Sequence, residues 1–397
     1  MPTTRRIVLG VIAPLLLALS GCTSLTGAQR DAAGGSETAQ ASPFDLERLP
    51  EQVESSWNTL IGKGVNPQKA RELYVEAEGQ YQAALRAESD QKQDAFAQAA
   101  KQFNEAAGRW PDSALEEDAM FMAGEAYFFA DMYPKANEAW EKLLKKYSNS
   151  KHLDAVESRR FAIAQFWLDL HNKDPESFWE FNWLDSTRPT RDTFGNSVRV
   201  YDRIRLDDPT GKLADDATLA AGNAYFAKQR YLDADGFYTD LRKTFPGSEH
   251  QYRAHLLGLK AKLLTYEGTD YSGAPLDEAE KLIKQIQRQF PQEAAQEREY
   301  LARAYAEVRF KKAEREWSLA QYYDRRGEYG AARFYYDILT REFAETPFAE
   351  KARSRMGEVA SEPAVPPQRL QWLVEAFPKE ENSKPLMATS DSGKKRR

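Results

Sequence analysis

Small, aromatic and apolar residues recur along this chain at helical spacing, and the clearest run is Asp215–Ser248. Gly222, Tyr225, Tyr231, Ala234, Tyr238 and Leu241 are set among charged residues, and Pro246 with Ser248 closes the run. The spacing predicts two short amphipathic helices folded as a hairpin. Small residues permit close approach, rings fill the space above and below, and proline stops the second helix. One such hairpin cannot bury its apolar face alone, so the pattern demands neighbours.

The neighbours are present. Glu117–Ser150 repeats the pattern with Gly124, Tyr127, Tyr133, Ala136, Trp140 and Leu143, and Ala313–Thr346 repeats it with Ala320, Tyr323, Tyr329, Ala332, Tyr336 and Leu339. Trp110-Pro111 closes a hairpin carrying Phe96, Ala99, Phe103 and Ala106. Phe290-Pro291 closes another, carrying Leu276, Ala279, Ile283 and Ile286. Between Lys151 and Pro209, helices over Leu153–Leu170 and Asn196–Leu206 flank an insertion, and the Gly-containing stretch Tyr266–Pro275 interrupts a later hairpin. Phe377-Pro378 is a further closing signal in register, but Pro363, Pro366 and Pro367 break the hairpin before it. Phe348–Val359 and Gln368–Phe377 are therefore expected as a degenerate capping pair.

A period of about 34 residues with these positions resembles the tetratricopeptide repeat (TPR). The resemblance implies an all-α, TPR-type solenoid of about six helical hairpins that works by non-covalent recognition. The expected layout is a signal segment over 1–21, a lipidated N-terminus and flexible linker over 22–66, and the solenoid over 67–360. Its insertions lie near 172–195 and 266–275. A degenerate cap over 361–382 and a disordered basic tail over 383–397 follow. A short helix is expected within Leu46–Gly64.

The first residues read as an export signal. Arg5 and Arg6 precede the apolar run Ile7–Leu19, which is interrupted only by Gly10 and Pro14. That run is short for a membrane span and suits the apolar core of a signal peptide. It ends Leu19-Ser20-Gly21-Cys22, which resembles the lipobox of bacterial lipoproteins, and Cys22 is the one cysteine of the chain. The resemblance implies acylation of Cys22, which anchors the chain to a membrane when several acyl chains are buried. Thr23, where inner-membrane retention uses Asp, points to the outer membrane. Thr4-Arg5-Arg6 leaves open whether export is general secretory or twin-arginine.

Composition narrows the function. The formal charge of −6 over 397 residues argues against a nucleic-acid binder. The tip Lys394-Lys395-Arg396-Arg397 reads as a solvated tail. There is no GxSxG, phosphate-binding glycine loop, HExxH or CxxC motif in the sequence. His152, His171, His250 and His255 read as helix-surface or loop residues, and Glu116-Glu117 and Asp215-Asp216 as helix-opening carboxylates. We expect no cofactor, no metal and no catalysis. Within the first insertion, Phe178, Trp179, Phe181 and Trp183 cluster. Trp179, Phe181 and Trp183 alternate, so they form a ligand platform if extended, or plug the groove between repeats if the loop folds back; we favour the plug.

A family resemblance enters late in the chain. Glu316-Trp317-Ser318-Leu319-Ala320-Gln321-Tyr322-Tyr323-Asp324-Arg325-Arg326-Gly327, followed by Ala331-Ala332-Arg333, resembles the late repeat of the BamD family, lipoproteins of the outer-membrane β-barrel assembly machinery. The resemblance implies a periplasm-facing scaffold that contacts the POTRA-containing barrel-assembly protein, other assembly subunits and unfolded outer-membrane proteins. It makes Tyr322, Tyr323, Arg325, Arg326 and Gly327 candidate partner-binding residues, with Arg326 foremost. This chain departs from the family in its greater length, its two insertions and its Pro-broken C-terminal segment. Two other readings stay open: a periplasmic TPR adaptor in envelope division or secretion, and a cell-wall glycan-binding protein.

Overall fold

Helix-end chemistry marks the start of the first hairpin and the turns inside three others. The computed structural model describes residues 64–367 apart from 88 and 178, with the single positions 370, 372 and 376. Residues 1–63 lie outside the described residues. So do the helix expected before Gly64, most of Gln368–Phe377, and the basic tail. Among the described residues there are fourteen α-helices and no strand. The first, α1 (Pro67–Arg86), begins at Asn66, whose side chain accepts from the Lys69 amide, with proline just inside. It pairs with α2 (Ser89–Arg109).

The second hairpin is α3 (Ala114–Phe129) with α4 (Tyr133–Lys146). The third is α5 (Leu153–Lys173) with α6 (Thr193–Asp207), and the fourth is α7 (Ala214–Ala227) with α8 (Tyr231–Thr244). The fifth is α9 (Gln251–Thr265) with α10 (Ala274–Gln289). A short α11 (Pro291–Gln296) leads to α12 (Arg298–Arg325), which pairs with α13 (Tyr329–Glu342), and α14 (Pro347–Glu358) packs on that last hairpin. Six hairpins follow one another, each packed on the next.

Three turns within hairpins are built alike. Asp131, Gln229 and Gly327 occupy equivalent positions with φ of 56°, 59° and 72°. At each, the amide three residues beyond the helix reaches back: Met132 to the Tyr127 carbonyl (2.9 Å), Arg230 to Tyr225 (3.0 Å) and Glu328 to Tyr323 (3.0 Å). This is the left-handed helix stop that glycine adopts without strain. Gly327 therefore has a local reason to be glycine.

Inside each of these hairpins a small residue lies beneath a ring. Trp140, Tyr238 and Tyr336 are fully buried against Gly124, Gly222 and Ala320 respectively, and Ala136, Ala234 and Ala332 are fully buried beside them. A Cβ on Gly222 would stand 2.7 Å from the Tyr238 ring, and one on Gly124 would enter the Trp140 indole. Trp140, Trp167 and Tyr201 then join the second, third and fourth hairpins through one core.

Two helices differ from expectation. The helix expected from Ala313 begins at Arg298 instead, because Leu301, Ala304 and Val308 extend its buried stripe against Leu282, Ile283 and Ile286 of α10. The expected capping pair is represented by α14 alone among the described residues, since the three prolines turn the chain after Val359 into a non-helical strap.

Gly222→Ala should lower unfolding free energy by about 1–3 kcal/mol through overpacking. Gly236→Ala, with open space around its would-be Cβ, should raise it by about 0.5–1 kcal/mol through helix propensity. Urea unfolding of both variants measures the contrast.

Candidate functional site

The late turn is built from the inside outward. Asp324, near the end of α12, accepts two hydrogen bonds from Arg355 of α14 (Nε 2.7 Å, Nη2 2.8 Å) and one from the Tyr336 hydroxyl (2.7 Å). Those bonds, the Arg355 pair foremost, hold the Asp324 carboxyl below the usual carboxylate range. Tyr323 lies face to face with Tyr335, centroids 5.5 Å apart and planes 5° from parallel. Tyr323 and Gly327 are thus consumed by the hairpin itself. Tyr322, Arg325 and Arg326 face solvent. Arg326 donates to the Tyr322 hydroxyl (2.7 Å) and to Glu328 (2.8 Å), with its guanidinium over the Tyr322 ring.

The turn has a neighbour that the sequence analysis did not foresee. The strap after α14 comes back beside it: the Gly330 amide donates to the Ala364 carbonyl (2.9 Å), and Arg333 donates to the carbonyls of Val359 (2.7 Å) and Glu362 (2.9 Å). Gly330 has no room for a side chain there, since its Cβ would stand 3.0 Å from the Ala364 Cβ. The prolines that break the seventh hairpin therefore serve to lay this strap along the sixth.

The insertion between α5 and α6 also folds back, but its rings do not plug a groove. Trp179 is 68% exposed, Phe181 46% and Trp183 80%, and Leu184 at the tip is 99% exposed. Phe181 and Trp183 stack with centroids 6.0 Å apart, and the Arg191 guanidinium lies over Phe181. The side that faces the repeats is polar because buried Trp167 needs an acceptor for its indole N–H, which the Thr187 carbonyl supplies at 2.8 Å. Asn182 braces the loop, its amide donating to the carbonyls of Asp185 and Arg188, while Ser186 donates to the Asp131 carbonyl. Phe178 lies outside the described residues, as does Cys22.

The histidines divide into two classes. His152 and His250 are latches between hairpins, their Nε2 atoms 2.7 Å from Asp118 and Asp216, at equivalent places in two repeats. His171 and His255 overturn the surface reading: both are buried, and burial pushes both pKa values down. His171 packs against Phe194, and His255 against Phe290. The helix-opening reading of Glu116 is also too modest. It is buried and accepts from Lys146 (2.7 Å), the Tyr147 hydroxyl (2.5 Å) and the Asp112 amide (2.7 Å), so it ties α3 to the end of α4.

One further titrating group lies inside the third hairpin. Glu157 of α5 is buried, its Oε1 has no hydrogen-bond partner, and its pKa is pushed up to about 7 by burial, then by Asp208 and Asp154. No group of His, Cys, Asp and Glu among the described residues is arranged to hold a metal ion, and no helix among them is long and apolar enough to cross a membrane.

With this geometry in hand, comparison with known proteins is informative in one place. The tetratricopeptide repeat family matches residues 118–150, which span α3, its turn and α4. The fold is a TPR-type array of helical hairpins. No curated protein matches the chain. Repeats of this kind are typically scaffolds for protein–protein interaction.

Glu157→Gln should reveal the buried carboxyl. The folded state binds the Glu157 proton more tightly than the unfolded chain, whose ordinary value is 4.5. Its contribution to stability therefore falls as pH rises from about 4.5 through about 7 and is flat beyond. The variant should be more stable than the parent by about 1–3 kcal/mol at pH 8 and equal to it near pH 4, by urea unfolding across that range.

Proposed function

We propose that the chain is a lipid-anchored, non-enzymatic scaffold of the outer-membrane β-barrel assembly machinery. It is held to the outer membrane through Cys22 and faces the periplasm. The hairpin array is the rigid span between that anchor and a partner-binding end at the α12–α13 turn. The observation that carries the reading is the exposed Tyr322–Arg326 pair, a cation over an aromatic ring of the composition common at binding hot spots. It sits on a turn braced by Asp324, Arg355 and the strap, so it reaches a partner already ordered. The lipobox-like Leu19–Cys22 and the BamD-like stretch supply the partner class: a POTRA-containing barrel protein, with unfolded outer-membrane proteins as clients. Adaptor roles in envelope division or secretion would use the same surface with another partner.

A second reading rests on the braced loop between α5 and α6. Stacked, exposed Phe181 and Trp183 offer the flat apolar platform on which a cell-wall glycan ring could lie, with Trp179 nearby.

Pull-down from detergent-solubilised envelope tests the first reading. The parent chain should recover a POTRA-containing barrel protein, and Tyr322→Ala with Arg326→Ala should reduce recovery by about tenfold or more. A parent chain that recovers no barrel-assembly component sinks the reading. Cys22→Ala should move the chain from the membrane to the soluble fraction, and retention on membranes would remove the anchor argument. Binding to cell-wall glycan that Trp183→Ala abolishes would favour the second reading.

A further inference from the structure

An open cleft of about 730 Å³ lies between the last turns of α8, the Pro246–Ser248 turn, the start of α9 and the outer face of α10. At its edge Arg242 turns its guanidinium inward. Nη1 donates to the Ala254 carbonyl (3.0 Å) and Nη2 to the Thr239 hydroxyl (2.7 Å), and no carboxylate lies within ion-pair distance. Gly258 makes the space for it, because a Cβ there would collide with the guanidinium. Burial pushes the Arg242 pKa down.

The chain contains its own comparison. Leu144 and Arg160 stand, two hairpins earlier, where Arg242 and Gly258 stand here, offset just as Gly124 is from Gly222. There Arg160 is the buried guanidinium, and it is met by Asp207 (2.7 Å), Glu141 (3.5 Å) and Asn137 (3.1 Å). Both interfaces enclose an arginine, but only the earlier one sets carboxylates against it.

The acids near the later arginine are already engaged. Buried Lys262 takes Asp235 (2.6 Å) and Glu278. Arg242, Lys243 and Lys281 are left lining the cleft without an ion pair among the described residues. Lys281, Gln285 and Gln289 lie at successive four-residue steps along one face of α10, and all three are exposed. Cations along both walls suit carboxylates, and a row of side-chain amides suits a peptide backbone, which needs both donors and acceptors. In a chain of net charge −6, this local excess of positive charge is a place where an acidic segment is attracted rather than repelled.

We propose that this cleft binds an extended acidic segment of a partner protein, its carboxylates meeting Arg242, Lys243 and Lys281 and its backbone meeting Gln285 and Gln289. The inference goes beyond the outer-membrane assembly reading and does not depend on it.

The full-length chain in detergent, titrated with a fluorescein-labelled hexaglutamate peptide and read by fluorescence anisotropy, tests it. We expect saturable binding that weakens with added salt, and that Lys243→Ser with Lys281→Ser weakens by about tenfold or more. Both lysines are exposed, so the double variant keeps its fold, and Arg242→Leu, the residue found at the equivalent position, should act in the same direction. Lys142→Ser with Lys145→Ser on α4 should leave affinity unchanged. Three results would overturn the proposal: no saturable binding, equal affinity in the Lys243/Lys281 double variant, or displacement of the peptide by inorganic phosphate at matched charge.

Discussion

Close approach of two helices over a missing side chain is the constraint on which this array depends. At Gly124 and Gly222 the first helix of a hairpin has no Cβ where the Trp140 or Tyr238 ring must lie, and at Ala320 the Tyr336 ring meets only a methyl. The ring then reaches a polar partner beyond: Trp140 Nε1 the Phe121 carbonyl, Tyr238 the Asn223 side chain, Tyr336 the Asp324 carboxylate. A larger residue beneath the ring would displace it and cut both contacts together. Packing density of this kind has no slack to absorb an added methylene.

That constraint also explains what could be read in the chain beforehand. The Gly-to-ring and Ala-to-Leu spacings are local, fixed by two short helices and a three-residue turn, so they recur at a constant period and are visible as a pattern. The left-handed turn was legible only at Gly327, because Asp131 and Gln229 take the same conformation without a glycine to announce it. The early start of α12 was obscured by its mostly charged surface, with Leu301, Ala304 and Val308 the sole thread. The acidic-peptide cleft was illegible for another reason: its cations come from α8 and α10, and what matters about Arg242 is that Asp235 and Glu278 face Lys262 instead. Pairing between helices is not written in either helix alone. The aromatic insertion was misread because its apolar count drew attention from Ser186 and Thr187, which make the contacts to the repeats.

Ionic groups between hairpins follow one logic, with variation that carries information. Asp118 with His152 and Asp216 with His250 tie successive hairpins at the surface, and Arg355 with Asp324 ties the last helix to the sixth hairpin. Deeper in, a guanidinium is tolerated only with several acceptors, as at Arg160. Arg242, held by a carbonyl and a hydroxyl with no carboxylate, and Glu157, with its Oε1 unpartnered, are places among the described residues where charge is less fully compensated.

The length of α12 has a consequence for how the array comes apart. In a stack of independent hairpins, each unit can open at a cost set by itself and its neighbours, so unravelling can halt at any boundary. Here one uninterrupted helix contributes Leu301, Ala304 and Val308 to the core shared with α10, and Ala313 and Ala320 to the core shared with α13. Opening either core strips one half of the same helix of its packing. The cores of the fifth and sixth hairpins are therefore coupled through the one continuous helix whose two halves complete them, and the two hairpins behave as one cooperative block at the C-terminal end of the array.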